Sequence, residues 1–490
     1  MRTATIVIRD EVNIKIEGLE LDVRKKLVNT FKYEIPGARY QPAVRLGRWD
    51  GKVAYFQLGG SSYINLLPEI IPILEDFNYD IQLDDQRDYS TTFEFAPVTE
   101  ETFSDRVWPA THPQAGQPIM LRDYQVKIVN EFLNNPQCLQ EVATGAGKTI
   151  MTASLSHSIE PYGRSIVIVP NKSLVTQTEA DYINMGLDVG VFFGDRKDLG
   201  KTHTICTWQS LNVLDKKSKN WDLENALTLA EFLDGVKCVI VDEVHMAKAE
   251  VLKNLLTINL CNAPIRWGLT GTVPKDDFEA QPIFASIGPV VGGIKAHQLQ
   301  EMGVLSNLHV NVVQMIDLPE FKSYAEELKY LVTNTDRLKY IAQLVKGLSE
   351  TGNTLVLVNR IDSGKQLIDL IDGAVFISGE VKGTKRAEEY KEHATNDNKV
   401  TVATFGVAAV GINIPRIFNL VLLEPGKSFV RVIQSIGRGI RKAEDKDFVQ
   451  IWDITSTCKF AKRHLTKRKQ FYKEANYPFT QEKLEWMKIK

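Results

Sequence analysis

The segment from Glu141 to Ile150 reads EVATGAGKTI, with two glycines, a lysine and a threonine at the spacing of a phosphate-binding loop. Such a loop joins a strand to a helix, where backbone amides and the helix N-terminus hold anionic phosphates. Lys148 would reach the β- and γ-phosphates, and Thr149 would bind magnesium. The strict form of the pattern has a glycine where this chain has Val142. A glycine-rich turn without a ligand is the alternative, and the strand and helix expected on either side argue against it.

A second segment, Val239 to His245, reads VIVDEVH and places two adjacent acids after an apolar strand. A carboxylate at the C-terminal end of a buried strand is well placed to hold a metal ion. Asp242 would hold magnesium, and Glu243 would polarise an attacking water as a general base. Taken alone, two acids at a strand end more often form a solvated terminus. The lysine-bearing loop upstream favours the catalytic interpretation.

The elements that must position these residues follow from apolar runs that alternate with helical segments. Near-continuous Val and Ile runs are typical of parallel strands buried on both faces. The first set of predicted strands comprises Ser165–Val169, Thr204–Thr207, Cys238–Val241 and Trp267–Thr270. The second comprises Thr354–Val358, Ala374–Ile377, Val400–Thr404, Leu420–Leu423 and Phe448–Trp452. The sequence therefore predicts an α/β fold with two parallel-sheet domains in series.

The chain ends differ from this pattern. Residues 1–95 read as a small α+β domain, with strands at Thr3–Arg9 and Val12–Glu17 and a helix over Leu21–Tyr33. Residues 96–118, with several prolines and little periodicity, read as a linker. We expect the two parallel-sheet domains at 119–305 and 306–455, followed by a basic helical segment at 456–490.

Composition narrows the class of protein. Of 490 residues, 43% are hydrophobic and 24% charged, which excludes collagen-like and wholly disordered chains. The formal charge of -2 leaves room only for local basic surfaces. Five cysteines without metal-ligand spacing argue against a disulfide framework and a structural zinc site. No run reaches the roughly 18 apolar residues of a membrane span, so we expect a cytoplasmic protein without a membrane partner.

Four segments together resemble the motifs of superfamily 2 helicases of the DExH type. They are ATGAGKT, DEVH, the run Leu269–Thr272, and QSIGRGIR at Gln434–Arg441. The resemblance covers about residues 120–445, and Val142 is ordinary in that superfamily. It implies two tandem RecA-like domains that bind ATP and Mg²⁺ between them and move one nucleic-acid strand stepwise as they close and open.

The resemblance also assigns roles within the nucleotide site. Arg122 and Gln125 would read adenine, and Thr270 and Thr272 would couple the phosphate state to strand movement. Residues expected to bind the nucleotide are Thr144, Gly145, Ala146, Gly147, Lys148, Thr149 and Gly411. Residues expected to act on the γ-phosphate are Gln434, Arg438 and Arg441, whose guanidinium groups carry a permanent charge. Asn413 stands where the family usually has Asp. An Asn keeps the hydrogen-bonding capacity of this position but lacks the negative charge of the residue to which the family assigns a coupling role.

For nucleic acid, the resemblance implies contacts from both domains to the phosphate backbone. The residues are Pro170, Asn171, Gln177, Thr207, Gln209, Ser210, Asn359, Arg360 and Thr404. Most carry hydroxyl or amide groups, which position a strand without reading its sequence.

Two basic stretches lie outside these motifs, and each has two interpretations. In the first, Arg39, Arg45, Arg48 and Lys52 alternate with Tyr40, Trp49, Tyr55 and Phe56. This mixture suits phosphate attraction with base stacking, and a half-buried hairpin with a charged outer face gives the same pattern. The second stretch, Lys459–Lys473, holds seven Lys or Arg residues and reads either as a solvated helix or as a DNA contact.

By resemblance, we expect a monomeric ATP-dependent 3'-to-5' DNA helicase that acts on branched DNA: Holliday junctions, D-loops, R-loops and stalled forks. Its partners would be branched DNA, single-stranded DNA and RNA–DNA hybrids. One alternative is a duplex-DNA translocase that remodels forks without processive unwinding. Another is an ATP-gated DNA-binding switch, against which Glu243 argues because a switch needs no general base.

Overall fold

The computed structural model describes residues 2–88, 90–110, 112, 114–218, 227–248, 250–377, 396–407, 416–428, 432, 435–437, 439–441, 443 and 445–488. By its internal contacts the chain divides into two units. The first comprises Met1–Glu141 and Gly147–Gly293, and the second comprises Val142–Ala146 and Ile294–Lys490. Of the helices in these ranges, none combines the length and apolar character needed to cross a membrane.

The N-terminal α+β domain is built on a four-stranded sheet. Its elements are β1 (Arg2–Ile8), β2 (Asn13–Glu17), α1 (Leu21–Thr30), β3 (Lys32–Glu34), α2 (Pro42–Arg45), β4 (Lys52–Ala54), β5 (Ser61–Tyr63), α3 (Leu67–Asp76) and β6 (Tyr79–Asp85). The strand order is β5-β2-β1-β6, and β3 pairs separately with β4. Alternate residues Ala4, Ile6 and Ile8 of β1 are buried, so one face of this sheet forms the core. The predicted helix ends at Thr30, and Tyr33 lies in β3.

The first RecA-like domain contains an eight-stranded sheet. Its elements are α4 (Asp123–Leu133), β7 (Gln137–Val142), α5 (Lys148–Ile159), β8 (Arg164–Val169), α6 (Lys172–Asn184), β9 (Val189–Phe193), β10 (Arg196–Lys197), β11 (His203–Thr207), α7 (Trp208–Ser218), α8 (Leu229–Phe232), β12 (Val236–Asp242), α9 (Glu250–Asn254), β13 (Ile265–Thr270), α10 (Asp277–Ser286) and β14 (Val290–Ile294). The order is β10-β9-β11-β8-β12-β13-β7-β14. From β9 to β7 each adjacent pair is parallel. The four strands predicted from the apolar runs, β8, β11, β12 and β13, all lie in this parallel part, and β9 was not predicted.

The second RecA-like domain has a seven-stranded sheet. Its elements are α11 (Ala296–Glu301), β15 (Asn307–Met315), α12 (Tyr324–Thr333), α13 (Thr335–Ser349), β16 (Thr354–Val358), α14 (Ile361–Ile368), β17 (Val375–Ile377), β18 (Val400–Thr404), β19 (Asn419–Leu423), β20 (Phe448–Ser456), α15 (Lys459–Glu474) and β21 (Phe479–Leu484). The order is β17-β18-β16-β19-β20-β15-β21, and all adjacent pairs are parallel. The sequence interpretation had no strand at Phe479–Leu484, which pairs with β15 and extends the sheet beyond the helix.

Parallel strands bring their C-terminal ends to one edge of a sheet, where ligands of open α/β folds bind. In the first domain this edge collects the ends of β7, β12 and β13, and next to them the ends of β8 and β11. Both motif regions of this domain lie on that edge.

Candidate nucleotide and nucleic-acid sites

The predicted phosphate-binding loop joins β7 to α5, as its sequence pattern requires. Gly147 precedes the first helical residue and has φ 87° and ψ 44°, in the left-handed region that glycine adopts readily. A Cβ atom added to Gly147 would lie 2.5 Å from Nε2 of Gln125. A side chain at this position would meet the Gln125 amide, and the loop leads directly into the first turn of α5, where backbone amides can bind an anion.

Lys148 lies in a buried ion-pair cluster with two acids, Asp242 at the end of β12 and Glu243 directly after it. Its Nζ atom is 2.6 Å from Oε1 of Glu243 and 3.7 Å from Oδ1 of Asp242. The Lys148 side chain is only 10% exposed, and both acids are buried. The structure thus brings together the lysine of one motif and the acids of the other, 94 and 95 positions apart in the chain. We call Gly147–Thr149 with Asp242 and Glu243 the phosphate cradle.

Glu243 is held as a carboxylate by its neighbours. Burial by itself raises the pKa of this carboxyl group, but the Lys148 ammonium and His245 outweigh it and keep the pKa well below its ordinary value. Nδ1 of His245 lies 3.3 Å from Oε2 of Glu243. Glu243 also has φ 52°, a backbone conformation that is rare outside glycine and is found at strained functional positions.

His245 connects the cradle to β13. Its Nδ1 atom is 3.0 Å from Oγ1 of Thr270, which in turn donates to the Thr272 carbonyl at 3.0 Å. All three residues are buried. A displacement of Glu243 would therefore reach the Thr270–Thr272 run. His245 is the last residue of the DEVH motif, and the sequence pattern assigned it no role.

Thr149 has a partner that sequence reasoning missed. Its hydroxyl donates to a carboxylate oxygen of Asp181, near the end of α6. Burial raises the pKa of Asp181, while the hydrogen bond from Thr149 lowers it. No pattern in the sequence marks Asp181, because it is one acid on helix α6 and becomes relevant only when α6 packs against α5.

The two residues predicted to read adenine stand at the start of α4. Gln125 is buried, and its Oε1 accepts a hydrogen bond from the Arg122 backbone at 2.9 Å. Arg122 is exposed, and its guanidinium donates to the Tyr124 hydroxyl at 3.1 Å. Gln125 thus lies directly beside Gly147 of the cradle. Arg122 immediately precedes α4, three residues before Gln125.

Five of the predicted nucleic-acid residues line a single cavity of about 500 Å³ in the first domain. They are Pro170, Asn171, Thr207, Gln209 and Ser210. Asn171 caps α6 by accepting a hydrogen bond from the Leu174 amide at 3.0 Å, and the Thr207 and Ser210 hydroxyls lie 2.9 Å apart at the start of α7. Gln177 is exposed on α6 and does not line this cavity. We call the cavity the α6–α7 pocket.

Some candidate residues of the second domain lie in the part of the chain that the structure describes. Asn359 donates its side-chain amide to the Glu424 backbone carbonyl, Arg360 precedes α14, and the Thr404 hydroxyl accepts from the Val407 amide at 3.4 Å. Arg441 accepts a hydrogen bond on its carbonyl from Nζ of Lys446 at 2.8 Å. Gly411, Asn413, Gln434 and Arg438 lie outside the described residues.

In the N-terminal domain the basic stretch separates into surface and core. Arg45 and Arg48 are exposed, Tyr40 is 69% exposed, and Trp49 donates its indole N–H to the Lys52 carbonyl at 3.0 Å. Tyr55 and Phe56, which the stacking interpretation included, are buried in the domain core. That part of the interpretation is wrong, because these two rings face the sheet and cannot meet a base.

The C-terminal basic helix α15 is likewise divided. Arg468 is fully buried and pairs with Asp453 through contacts of 2.8 and 2.9 Å, and Tyr472 donates to the same carboxylate at 2.8 Å. Arg468 therefore fastens α15 to β20 and is not available to DNA. Lys462 and Lys467 remain exposed.

Comparison with known proteins assigns this architecture to a family. Residues 118–275 match the family described as "Type III restriction enzyme, res subunit", and residues 336–443 match the "Helicase conserved C-terminal domain". The ATP-dependent DNA helicase uvsW of Enterobacteria phage T4 is 25% identical over 475 residues, covering 92% of this chain and 90% of that protein. The DNA 3'-5' translocase XPB2 of Sulfurisphaera tokodaii is 31% identical over 184 residues, covering 36% of this chain and 37% of that protein.

Among solved structures, a putative HsdR subunit of a type I restriction enzyme from Vibrio vulnificus YJ016 has a similar fold. Its TM-score is 0.57 at 17% identity, and the match covers 74% of this chain and 69% of that one. The two family models, in order along the two parallel-sheet domains, and a relative matched along nearly its whole length agree with each other. The chain belongs to the superfamily 2 helicases, the ATP-dependent enzymes with two RecA-like domains.

Proposed function

We propose that this protein is an ATP-dependent DNA helicase that moves 3'-to-5' along one strand and acts on branched DNA, including Holliday junctions, D-loops, R-loops and stalled forks. The observation that carries the proposal is the buried cluster of Lys148, Asp242 and Glu243 at the helix N-terminus. Two relatives, a DNA helicase and a 3'-5' DNA translocase, support the choice of DNA and the polarity.

The residues of the phosphate cradle fit ATP and Mg²⁺. Gly147 brings no side chain of its own to the loop, and α5 begins directly after it at Lys148. Thr149 and Asp242 offer the hydroxyl and carboxylate oxygens that Mg²⁺ prefers. The described residues contain no group of three His, Cys, Asp or Glu side chains arranged around one point. A Mg²⁺ held by one carboxylate, one hydroxyl and nucleotide phosphates does not require such a group.

Each cradle residue then has a distinct task. The Lys148 ammonium, now paired with Glu243, exchanges that carboxylate for phosphate oxygens. Glu243, released from Lys148 but still next to His245, orients the attacking water and accepts its proton. Bound Mg²⁺ supplies charge neutralisation for the phosphates. Gln125 lies beside the loop, where an adenine-reading amide belongs.

ATP hydrolysis can drive movement along DNA because the same edge of the first-domain sheet also carries the residues proposed to contact the nucleic-acid strand. His245 and Thr270 link Glu243 to the Thr270–Thr272 run. By resemblance, Gln434, Arg438 and Arg441 act on the γ-phosphate and Gly411 contacts the nucleotide. By the same resemblance, Asn359, Arg360 and Thr404 contact the phosphate backbone of the strand. The enzyme acts as a monomer in the cytoplasm on branched DNA, single-stranded DNA and RNA–DNA hybrids.

A strand-displacement assay tests the proposal. A labelled forked duplex with a 3' or a 5' tail is incubated with the full chain, with and without ATP. We expect ATP-dependent release of the labelled strand from the 3'-tailed substrate only. Release from the 5'-tailed substrate alone would overturn the polarity, and absence of DNA-stimulated hydrolysis would overturn the helicase proposal.

A duplex-DNA translocase is the second candidate, because one relative bears the name translocase. Displacement of a triplex-forming third strand from duplex DNA, without release from the fork, would favour it.

The exposed pair Arg45 and Arg48 supplies the preference for branches. Replacing both with Ala should weaken binding to a four-way junction more than it lowers hydrolysis at saturating single-stranded DNA. Equal losses in both measurements, or none, would reject a DNA role for the N-terminal domain. The matched control is Lys25→Ala with Lys26→Ala, two basic residues on α1 of the same domain.

A further inference from the structure

The α6–α7 pocket is lined partly by apolar side chains, which contacts to the phosphate backbone of a nucleic acid would not require. Five apolar side chains line it: Pro170, Phe192, Phe193, Val213 and Leu214. Its volume of about 500 Å³ falls in the range of roughly 300–1,000 Å³ that is typical of pockets for small ligands. A phosphate needs a polar surface, so this apolar interior suits a different part of a ligand.

Three lysines surround this apolar interior. Lys172, Lys197 and Lys217 are exposed and belong to the lining, which contains no acidic residue. Within the described ranges none of the three forms an ion pair. The pocket therefore combines an apolar interior with three exposed lysines at its margin, and this combination complements a flat apolar group attached to several phosphates.

The pocket's walls are held in place from two sides. Helices α6 and α7 begin at its margin, at the ends of the neighbouring strands β8 and β11, so their N-terminal partial charges add to the lysines. The opposite wall is the β9–β10 hairpin, which Arg196 fastens to α6 through contacts of 2.8 and 2.7 Å with Glu179. Phe193, at the end of β9, is half-buried and makes no ring–ring contact with another described residue.

We propose that the α6–α7 pocket receives one unpaired nucleobase of the bound strand, stacked on Phe193, while Lys172, Lys197 and Lys217 hold the phosphates on either side of it. Aromatic side chains accept any base in this way, so the contact does not impose a sequence. The inference rests on the proposed function, because it assumes a DNA strand along this edge. It adds a base-binding site to contacts that would otherwise reach only the backbone.

The test uses 2-aminopurine, a fluorescent base that is quenched when it stacks. It is placed in turn at each position of the single-stranded arm of a fork, and the full chain is added. We expect one position to change its fluorescence on binding. Phe193→Ala should remove this change and weaken binding by about tenfold, the loss typical of one stacked base. An abasic site at that position should weaken binding of the unmodified chain equally and have no further effect on Phe193→Ala.

Controls separate this inference from the proposed function. Leu199→Ala, an exposed residue next to the hairpin that does not line the pocket, should bind like the unmodified chain. Should Phe193→Ala fail to melt cooperatively, Phe193→Leu keeps the packing and removes the stacking. Equal binding of abasic and normal DNA, or an unchanged signal in the Phe193 variants, would overturn the inference and leave the helicase intact. Loss of all DNA binding in the unmodified chain would overturn the helicase proposal itself. Displacement of DNA by polyglutamate and not by abasic DNA would point to an acidic peptide and reject the base site.

Discussion

The phosphate cradle and the α6–α7 pocket lie along the same edge of the first sheet, but they carry positive charge in opposite ways. In the cradle, Lys148 is buried and its ammonium contacts Glu243 at 2.6 Å. In the pocket, Lys172 and Lys197 are exposed, and no ion pair joins them to other described residues. A buried charge must be paired because desolvation is costly, whereas an exposed charge stays hydrated until a ligand arrives. The cradle therefore suits one ligand of fixed geometry, and the pocket suits a variable strand.

The largest effect expected from this difference is that of Lys148→Ala. Without the ammonium, the γ-phosphate loses its main protein cation and the Glu243 carboxylate is left buried without it. We expect hydrolysis to fall by at least about 100-fold, the typical cost of one transition-state contact. Affinity for single-stranded DNA should change little, because Lys148 does not line the pocket.

Steady-state hydrolysis and fluorescence anisotropy measure the two properties. Lys127→Ala, at an exposed position on α4, is the control and should resemble the unmodified chain in both. Retained turnover in Lys148→Ala would remove the cradle assignment.

Removing magnesium should separate the two sites without a mutation. With excess chelator we expect hydrolysis to stop, because Thr149 and Asp242 offer oxygen ligands that act only through the ion. Binding of single-stranded DNA should persist, since the pocket lining contains no carboxylate. Titration with Mg²⁺ should restore hydrolysis. A parallel loss of DNA binding in chelator would contradict the separation.

A smaller effect is expected from Asp181→Asn. Asp181 accepts the Thr149 hydrogen bond and so orients the hydroxyl oxygen. Loss of such an outer partner commonly costs about 10- to 100-fold in metal affinity or activity. We expect the Mg²⁺ concentration for half-maximal hydrolysis to rise, with the maximal rate less affected. Asp188→Asn, an exposed acid paired with Lys201 at 2.8 Å, is the control. An unchanged Mg²⁺ dependence would leave Asp181 with a purely structural role.

The smallest effect concerns salt. Each lysine that contacts a phosphate releases counterions, so Lys197→Ala should lower the slope of log affinity against log salt by about 0.7 to 1. The KM for ATP should show no comparable change in salt dependence, because the charges of the cradle are buried and paired. Anisotropy titrations over a range of salt concentrations measure the slope. A slope equal to that of the unmodified chain would exclude a phosphate contact at Lys197.

The predictions from sequence succeeded where local pattern and tertiary position coincide. β8, β11, β12 and β13 were visible as apolar runs because both faces of a central parallel strand are buried. The loop before α5 and the acids at the end of β12 were recognisable because each motif is contiguous in the sequence and directly adjoins a strand. The short edge strand β10 and the late strand β21 carry polar residues and gave no such signal.

Contacts between separate elements could not be predicted from the sequence. The hydrogen bond of Asp181 to Thr149 depends on how α6 packs on α5, and that of His245 to Thr270 depends on the pairing of β12 with β13. The same limit explains the two misread aromatic residues, Tyr55 and Phe56. A run of mixed basic and aromatic residues shows which side chains are present, but only the fold shows which of them face the core.

One strand of the second domain bears on how the protein is made. β15 lies between β20 and β21, so its first hydrogen-bonding partner is encoded 141 residues downstream of its own start, at Phe448. During synthesis this strand leaves the ribosome long before β20 or β21 has been made. Until then the backbone hydrogen-bonding groups on both of its edges have no strand to pair with. Folding of this domain is therefore tied to late translation, and a premature stop before residue 448 would release a chain prone to aggregation.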